Sequence, residues 1–185
     1  MDHLKYFTYL NKISWRGMMY RRNIVYKWIK KYTLGKVLDV GCGIGLFLEY
    51  MPSSVGVDVN EECVKFCVER GLKAKLMDYD KLPFEKCSFD TIILDNVLEH
   101  IENPIPLLLE CNRVLKENGK IIVLVPGKKG YLRDNDHKHY YDHASLRHLL
   151  LENGYTVKYQ RSLPFRGIEH ILSAFCFFAV GQKSV

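Results

Sequence analysis

The run VLDVGCGIG at residues 37–45 constrains this chain more than any other segment. An apolar stretch reaches Asp39 and then breaks into glycines at 41, 43 and 45, with Cys42 between the first two. Glycine at every second position lets the backbone turn sharply after a strand. It also leaves no Cβ where a ligand must lie flat on the main chain. The dinucleotide fingerprint G-x-G-x-x-G needs its third glycine one position later, where this sequence has Leu46. That fingerprint serves an anionic pyrophosphate at a helix N-terminus, which Asp39 would repel. A carboxylate just before the first glycine suits a ligand carrying a cationic ammonium, such as the methionine end of S-adenosylmethionine.

Two more acidic strand ends follow. Residues 55–59 read VGVDV, placing Asp58 and Val59 at the end of a second apolar strand, with Asp58 13 residues past Gly45. A carboxylate there can accept both hydroxyls of a ribose, and it can equally cap the helix that starts near Asn60. Residues 74–78, AKLMD, end in Asp78 and lead into Tyr79. Asp78 is expected to accept from an adenine amino group while Leu76, Met77 or Tyr79 covers the ring. Three acidic ends along the carboxyl edge of a parallel sheet mark the crevice where such folds bind ligands.

Strands are expected near 36–41, 55–59, 74–78, 90–95 and 119–125, alternating with helices near 44–51, 61–70, 104–117 and 144–153. Runs such as TIILD and KIIVLV are continuously apolar, as in strands covered on both faces. Gly71, Gly119 and Gly154 are read as helix stops. TVKYQ and HILSAFCFFAVGQK read as two closing strands, joined by a turn at Pro164 to Gly167. An amphipathic helix over 18–32 precedes the first strand.

On these motifs the chain resembles the class I S-adenosylmethionine-dependent methyltransferases of the small "methyltransferase domain" type. VLDVGCGIG resembles that family's first motif and GVDVN its second, while FDTIILDNVLEHIENP and NRVLKENGKIIVLVP resemble later ones. The resemblance runs from about residue 36 to about residue 160. It implies an α/β, doubly wound, Rossmann-like sheet of seven strands, mostly parallel, whose antiparallel last strand inserts beside the fifth, with helices on both faces. The organisation expected is a basic helical lid over 1–35 and a methyltransferase domain over 36–185. The resemblance names the donor, S-adenosylmethionine, and leaves the acceptor open. The donor-binding set expected is Asp39, Gly41, Cys42, Gly43, Gly45, Asp58, Val59, Asp78, Tyr79, Asn96 and Val97.

Transfer from a sulfonium needs alignment above all, and a base only where the acceptor must lose a proton. The candidate base lies in LDNVLEHIENP, where Asp95, Asn96 and Val97 leave the sheet edge and Glu99 and His100 follow. His100 can take an acceptor proton near neutral pH, with Glu99 orienting it. Both residues also suit a plain role in fastening the loop to the next helix. The segment DNDHKHYYDH at 134–143 brings His137, His139 and Tyr140 to the loop that helps build the acceptor pocket in the resembled fold. His137 and His139 with Asp136 or Asp142 have the composition of a metal site. The similar family segment carries none, however, and Cys63 with Cys67 alone is an incomplete zinc site, so no metal is expected.

Charge is placed unevenly. Of the net +6, residues 1–36 hold nine Lys and Arg against Asp2 alone, and the remaining 149 residues carry 18 basic and 20 acidic side chains. Trp15, Tyr20 and Arg21 in this segment are expected to meet the acceptor, favouring an anionic one or contact with an acidic membrane surface. An Asn- or Asp-Pro-Pro-aromatic run and a Pro-Cys nucleophile are both missing, which disfavours a DNA acceptor. Six cysteines without a C-x-x-C pair suit reduced, packed thiols, and no signal-peptide pattern opens the sequence, so a cytoplasmic enzyme is expected. The acceptor expected is an oxygen of a small molecule, sugar or lipid-linked intermediate. An RNA or protein methyltransferase, or a non-catalytic donor-binding module, is the alternative. The oligomeric state is not legible.

Overall fold

The computed structural model describes residues 7, 8, 10, 14–164 and 175–184. The turn read at Pro164 to Gly167 lies outside them beyond its first residue, as does the start of the last apolar run. Seven strands form one sheet: β1 Val37–Val40, β2 Val55–Asp58, β3 Ala74–Leu76, β4 Phe89–Asp95, β5 Leu115–Pro126, β6 Tyr155–Leu163 and β7 Cys176–Lys183. Their order is β3-β2-β1-β4-β5-β7-β6. The first five pair in parallel, and β7 runs antiparallel between β5 and β6. The strand order reverses between β1 and β4, so the crevice of this doubly wound sheet opens at the carboxyl ends of those two strands. Asp39 and Asp95 stand there.

Alternation along the central strands builds a core on each face. Ile92 and Leu94 of β4 join Ile121, Val123 and Val125 of β5 in one buried cluster. Ile93, Ile122 and Leu124 point the other way and meet Phe47, Phe178, Val25, Tyr26 and Ile29. The last three come from the N-terminal helix, so residue 35 is no structural seam. From Val25 onward the segment expected as a lid is a layer of the core. Its outer edge is fastened by aromatic rings: Tyr32 stacks on Tyr159 with centroids 5.0 Å apart, and the Arg161 guanidinium lies 4.0 Å from the Trp28 ring.

Helix α1 Trp15–Tyr20 passes through a wider π turn, Arg21–Val25, into α2 Tyr26–Tyr32. Ser14 caps α1 by accepting from the Gly17 amide. The remaining helices are α3 Leu46–Tyr50, α4 Glu61–Glu69, α5 Ile105–Val114, α6 Lys128–Tyr131 and α7 His143–Glu152. Helix α5 ends at Val114, short of the expected 117, and Gly119 is not a helix stop. Phe89 pairs with Leu115 and Thr91 with Lys120, so residues 116–119 loop out of β5 before pairing resumes. No described helix is long and apolar enough to cross a membrane.

Candidate active site

The glycine turn is held from two sides. The amides of Gly41 and Cys42 donate to the Val57 carbonyl at 2.8 and 3.0 Å, and the Gly43 amide donates to Asp58 Oδ2 at 2.7 Å. Gly41 has φ +75° and Gly43 φ +52°, a region costly for residues with a Cβ. A Cβ at Gly41 would stand 2.6 Å from Val97 Cγ2, and one at Gly43 would stand 3.0 Å from Leu10 Cδ1. The turn therefore presents a flat main-chain floor.

That floor opens into a cleft of about 460 Å³, walled by Asp39, Gly41 to Ile44, Asp95, Asn96, Glu99, His100, Arg133, Asp134 and His137, with Tyr20, Arg21 and Tyr26 from the N-terminal helix. Arg21 forms an ion pair with Asp95, and its Nε donates to the Tyr26 hydroxyl at 3.3 Å. The π turn that contains Arg21 is the kind of insertion found at functional positions, and it separates α1 from the buried run that follows. Burial, with Asp95 and Asp58 nearby, holds the Asp39 carboxyl well above the usual carboxylate range. Asp95 Oδ1 is buried without a partner. Carboxylates thus outnumber guanidinium at the cleft floor, which fits a cationic ligand.

Glu99 is 1% exposed, and neither of its carboxylate oxygens has a hydrogen-bond partner. Its backbone carbonyl accepts from the Lys138 and His139 amides at 2.6 and 3.2 Å, which ties the 134–139 loop against it. That tie brings the His137 ring to 4.6 Å from the His100 ring. Burial and the neighbouring His137 lower the His100 pKa, so its imidazole is neutral at neutral pH. Burial raises the Glu99 carboxyl to about 8.

The Glu99 shift has a stability consequence. The unfolded chain loses this proton near 4.5 and the folded chain holds it to about 8, so stability falls as pH rises between those values and levels off above. Glu99→Gln is expected to gain on the parent chain over that window. Urea unfolding of the two at pH 5 and pH 8 checks this, and a difference that does not grow with pH would contradict the assignment.

Several expected site residues stand elsewhere. Asp58 does not line the cleft: it is 5% exposed, its oxygens accept from the Gly43 and Asn60 amides, and it serves as the brace of the turn. The cap of α4 is Asn60 itself, whose Oδ1 accepts from the Glu62 amide. Val59 packs at the margin of the core, and Gly45 sits against Leu72 and Cys67 behind the floor. Val97 backs Gly41 without facing the cleft. Asp78 bridges to Lys81, and Tyr79 is 69% exposed, outside the cleft wall. Trp15 points outward at 65% exposure under the Arg16 guanidinium. Arg21 is committed to Asp95 and so does not stand open to an anionic acceptor. His139 Nε2 lies 2.8 Å from the Glu102 carbonyl, away from His137, and the Tyr140 ring packs on Tyr131 and Phe177. Asp39, Gly41, Cys42, Gly43, Asn96, Glu99, His100, Tyr20 and His137 do line the cleft.

Arg133 and Asp134, at the start of the loop expected to build the acceptor pocket, also line the cleft, whereas the partnership of Asp95 with Arg21 has no counterpart in the sequence expectations. Asp95 carried the one usable signal, a carboxylate at a strand's carboxyl end like Asp39.

Residues 38–123 match the family described as "Methyltransferase domain". An uncharacterized protein of Methanocaldococcus jannaschii is 32% identical over 147 residues, which cover 74% of this chain and 63% of that protein. A ubiquinone biosynthesis O-methyltransferase of Idiomarina loihiensis is 35% identical over 97 residues, 46% of this chain and 40% of the enzyme. The chain spans about half the length of the curated relatives it matches. Among solved structures, a SAM-dependent methyltransferase from Thermotoga maritima, titled a possible histamine N-methyltransferase, superposes with a TM-score of 0.80 at 18% identity, covering 98% of this chain and 99% of that one.

Proposed function

From a chain whose residues 38–123 are a methyltransferase domain within a class I fold, we propose an S-adenosylmethionine-dependent methyltransferase acting on an oxygen of a small acceptor. The acceptor is a small molecule, sugar or lipid-linked intermediate that carries an anionic group. The observation that carries this reading is one cleft holding both the glycine floor with its surplus of carboxylates and the buried Glu99, His100 and His137 group. The O-methyltransferase among the relatives supports oxygen as the acceptor atom.

Bound S-adenosylmethionine supplies a methyl already activated on a sulfonium, whose leaving thioether is neutral. The protein's part is alignment and charge. Asp39 would hold the ammonium, and the Gly41–Ile44 backbone would support the methionine chain. Asp58 acts on the donor through the turn it braces, holding the Gly43 amide in place. Exposed Leu76 and Tyr79 flank the path of the adenine. Arg133, exposed where it lines the cleft, is the cation that meets an anionic acceptor now that Arg21 is committed elsewhere. Neutral His100 takes the hydroxyl proton as the new C–O bond forms. Holding the reacting atoms close and in line supplies most of the rate, up to about 7–11 kcal/mol.

Calorimetry with adenosylhomocysteine tests the donor half. Asp58→Ala is expected to weaken binding about tenfold or more, since a hydrogen bond to a charged group contributes about 1.5–3 kcal/mol. Equal affinity would show that the donor floor does not need this brace. His100→Ala is expected to lower turnover about a hundredfold with donor affinity unchanged. Full turnover in that variant would leave His100 a loop-fastening residue, and donor binding without turnover on any acceptor in cell extracts would make the chain a binding module. A second reading, an RNA or protein acceptor, is favoured by the exposed row Arg16, Arg22, Lys27, Lys30 and Lys31. Acceptor binding that falls steeply with salt would select it, and the same row suits peripheral contact with an acidic membrane surface.

A further inference from the structure

We propose that Glu99, His100 and His137 form a binding site for one divalent first-row transition-metal ion on the cleft wall. Their ligating atoms all lie within 4.8 Å of one another. Three independent features of the cluster point to a cation.

The first is Glu99. A carboxyl 1% exposed, with neither oxygen partnered, is a buried polar group left unsatisfied, and a cation that displaced its proton would complete it. Arg21, the nearest guanidinium along this wall, is already paired with Asp95 and bonded to Tyr26. The second is the tautomer of His137. Its Nδ1 lies 2.7 Å from the Tyr131 carbonyl, which can only accept, so Nδ1 carries the hydrogen and Nε2 carries the lone pair. A backbone carbonyl that fixes the far nitrogen is how metal-ligating imidazoles are oriented. The third is the surrounding field. Asp95 and Asp134 both lie close enough to Glu99 to act on its charge, and both line the same cleft.

Two imidazoles and one carboxylate are a ligand set for zinc, manganese, iron or cobalt; magnesium and calcium favour oxygen throughout. Three protein ligands leave coordination positions open toward the cleft, and with the ion bound the His100 lone pair serves the metal, so its role as base belongs to the ion-free chain. The metal composition read from the sequence paired His137 with His139, set aside because the similar family segment carries no metal; in the folded chain His139 is not part of the cluster. The fold assembles His137 instead with Glu99 and His100, from a turn and a loop that are 37 residues apart.

The site exists in the chain without donor or acceptor, so its test does not depend on methyl transfer. The untagged full chain, stripped with a chelator, is titrated with Co²⁺ and followed by ligand-field absorption, then back-titrated with Zn²⁺. Saturation at one equivalent is expected, with affinity reduced at least tenfold in both Glu99→Gln and His137→Ala and unchanged in His148→Ala, an exposed histidine on α7. Absence of saturable uptake, equal affinity in the two site variants, or intense thiolate charge-transfer absorption from the cysteines would each overturn the proposal. Adenosylhomocysteine binding by the same variants reports the fold and the donor site separately. In the parent chain, saturable Co²⁺ uptake without adenosylhomocysteine binding would sink the methyltransferase reading and spare the metal site.

Discussion

Gly43→Leu is expected to abolish binding of adenosylhomocysteine, by at least a hundredfold, while the chain still folds. The backbone at Gly43 sits at φ +52°, where a side chain costs about 1–2 kcal/mol. The nearest atom to a new Cβ is Leu10 Cδ1 at 3.0 Å, the far end of a flexible side chain that can give way. The fold therefore meets a modest penalty. The ligand does not, because four added carbons would occupy the floor on which the donor has to lie. The Gly43 amide also donates to Asp58, so displacement of this residue loosens the brace that shapes the rim. Calorimetry together with a thermal melt reads both halves. A variant that folds and binds the donor normally would show that the floor is not where the donor lies.

Arg21→Met is expected to destabilise the fold by about 2–3 kcal/mol. Removing one partner from a buried ion pair costs about 3–5 kcal/mol, because the other charge is left unpaired. The lower figure applies because the Arg21 side chain is 24% exposed whereas Asp95 is 9% exposed. Methionine keeps much of the apolar stem, so the loss reads the charge and not the packing. Asp95 would then hold two unpartnered oxygens in place of one, beside the already crowded Asp39 carboxyl. Urea midpoints measure the effect, and the double variant Arg21→Met with Asp95→Asn is expected to recover part of it. An unchanged midpoint in the single variant would mean that the pair contributes nothing to the cleft floor.

Much of the architecture was legible because its signals are local. The five parallel strands, the acidic ends at Asp39, Asp58 and Asp78, and the glycine turn all follow from apolar runs that stop at particular residues. The α5 boundary was misread for the same local reason. Gly119 follows a helical pattern, but Leu115 is taken into pairing with Phe89, and strand pairing decides where the helix ends. The N-terminal segment misled differently. The resemblance implied a lid, while the segment's apolar face, Val25, Tyr26 and Ile29, packs against β4, β5 and β7 through Ile93, Ile122 and Phe178.

The sequence alone determined the parallel strands, their acidic ends and the flat glycine floor, since strand periodicity and the missing Cβ act within a few residues. Only the tertiary structure decided how the charged groups are spent. Asp95 meets an arginine 74 residues earlier, Asp58 turns inward to brace Gly43, and His137 leaves His139 to join Glu99. Such pairings are chosen by which side chains are desolvated together when distant segments pack. Burial strengthens a charge's demand for a partner, and no spacing along the chain records which partner will be within reach.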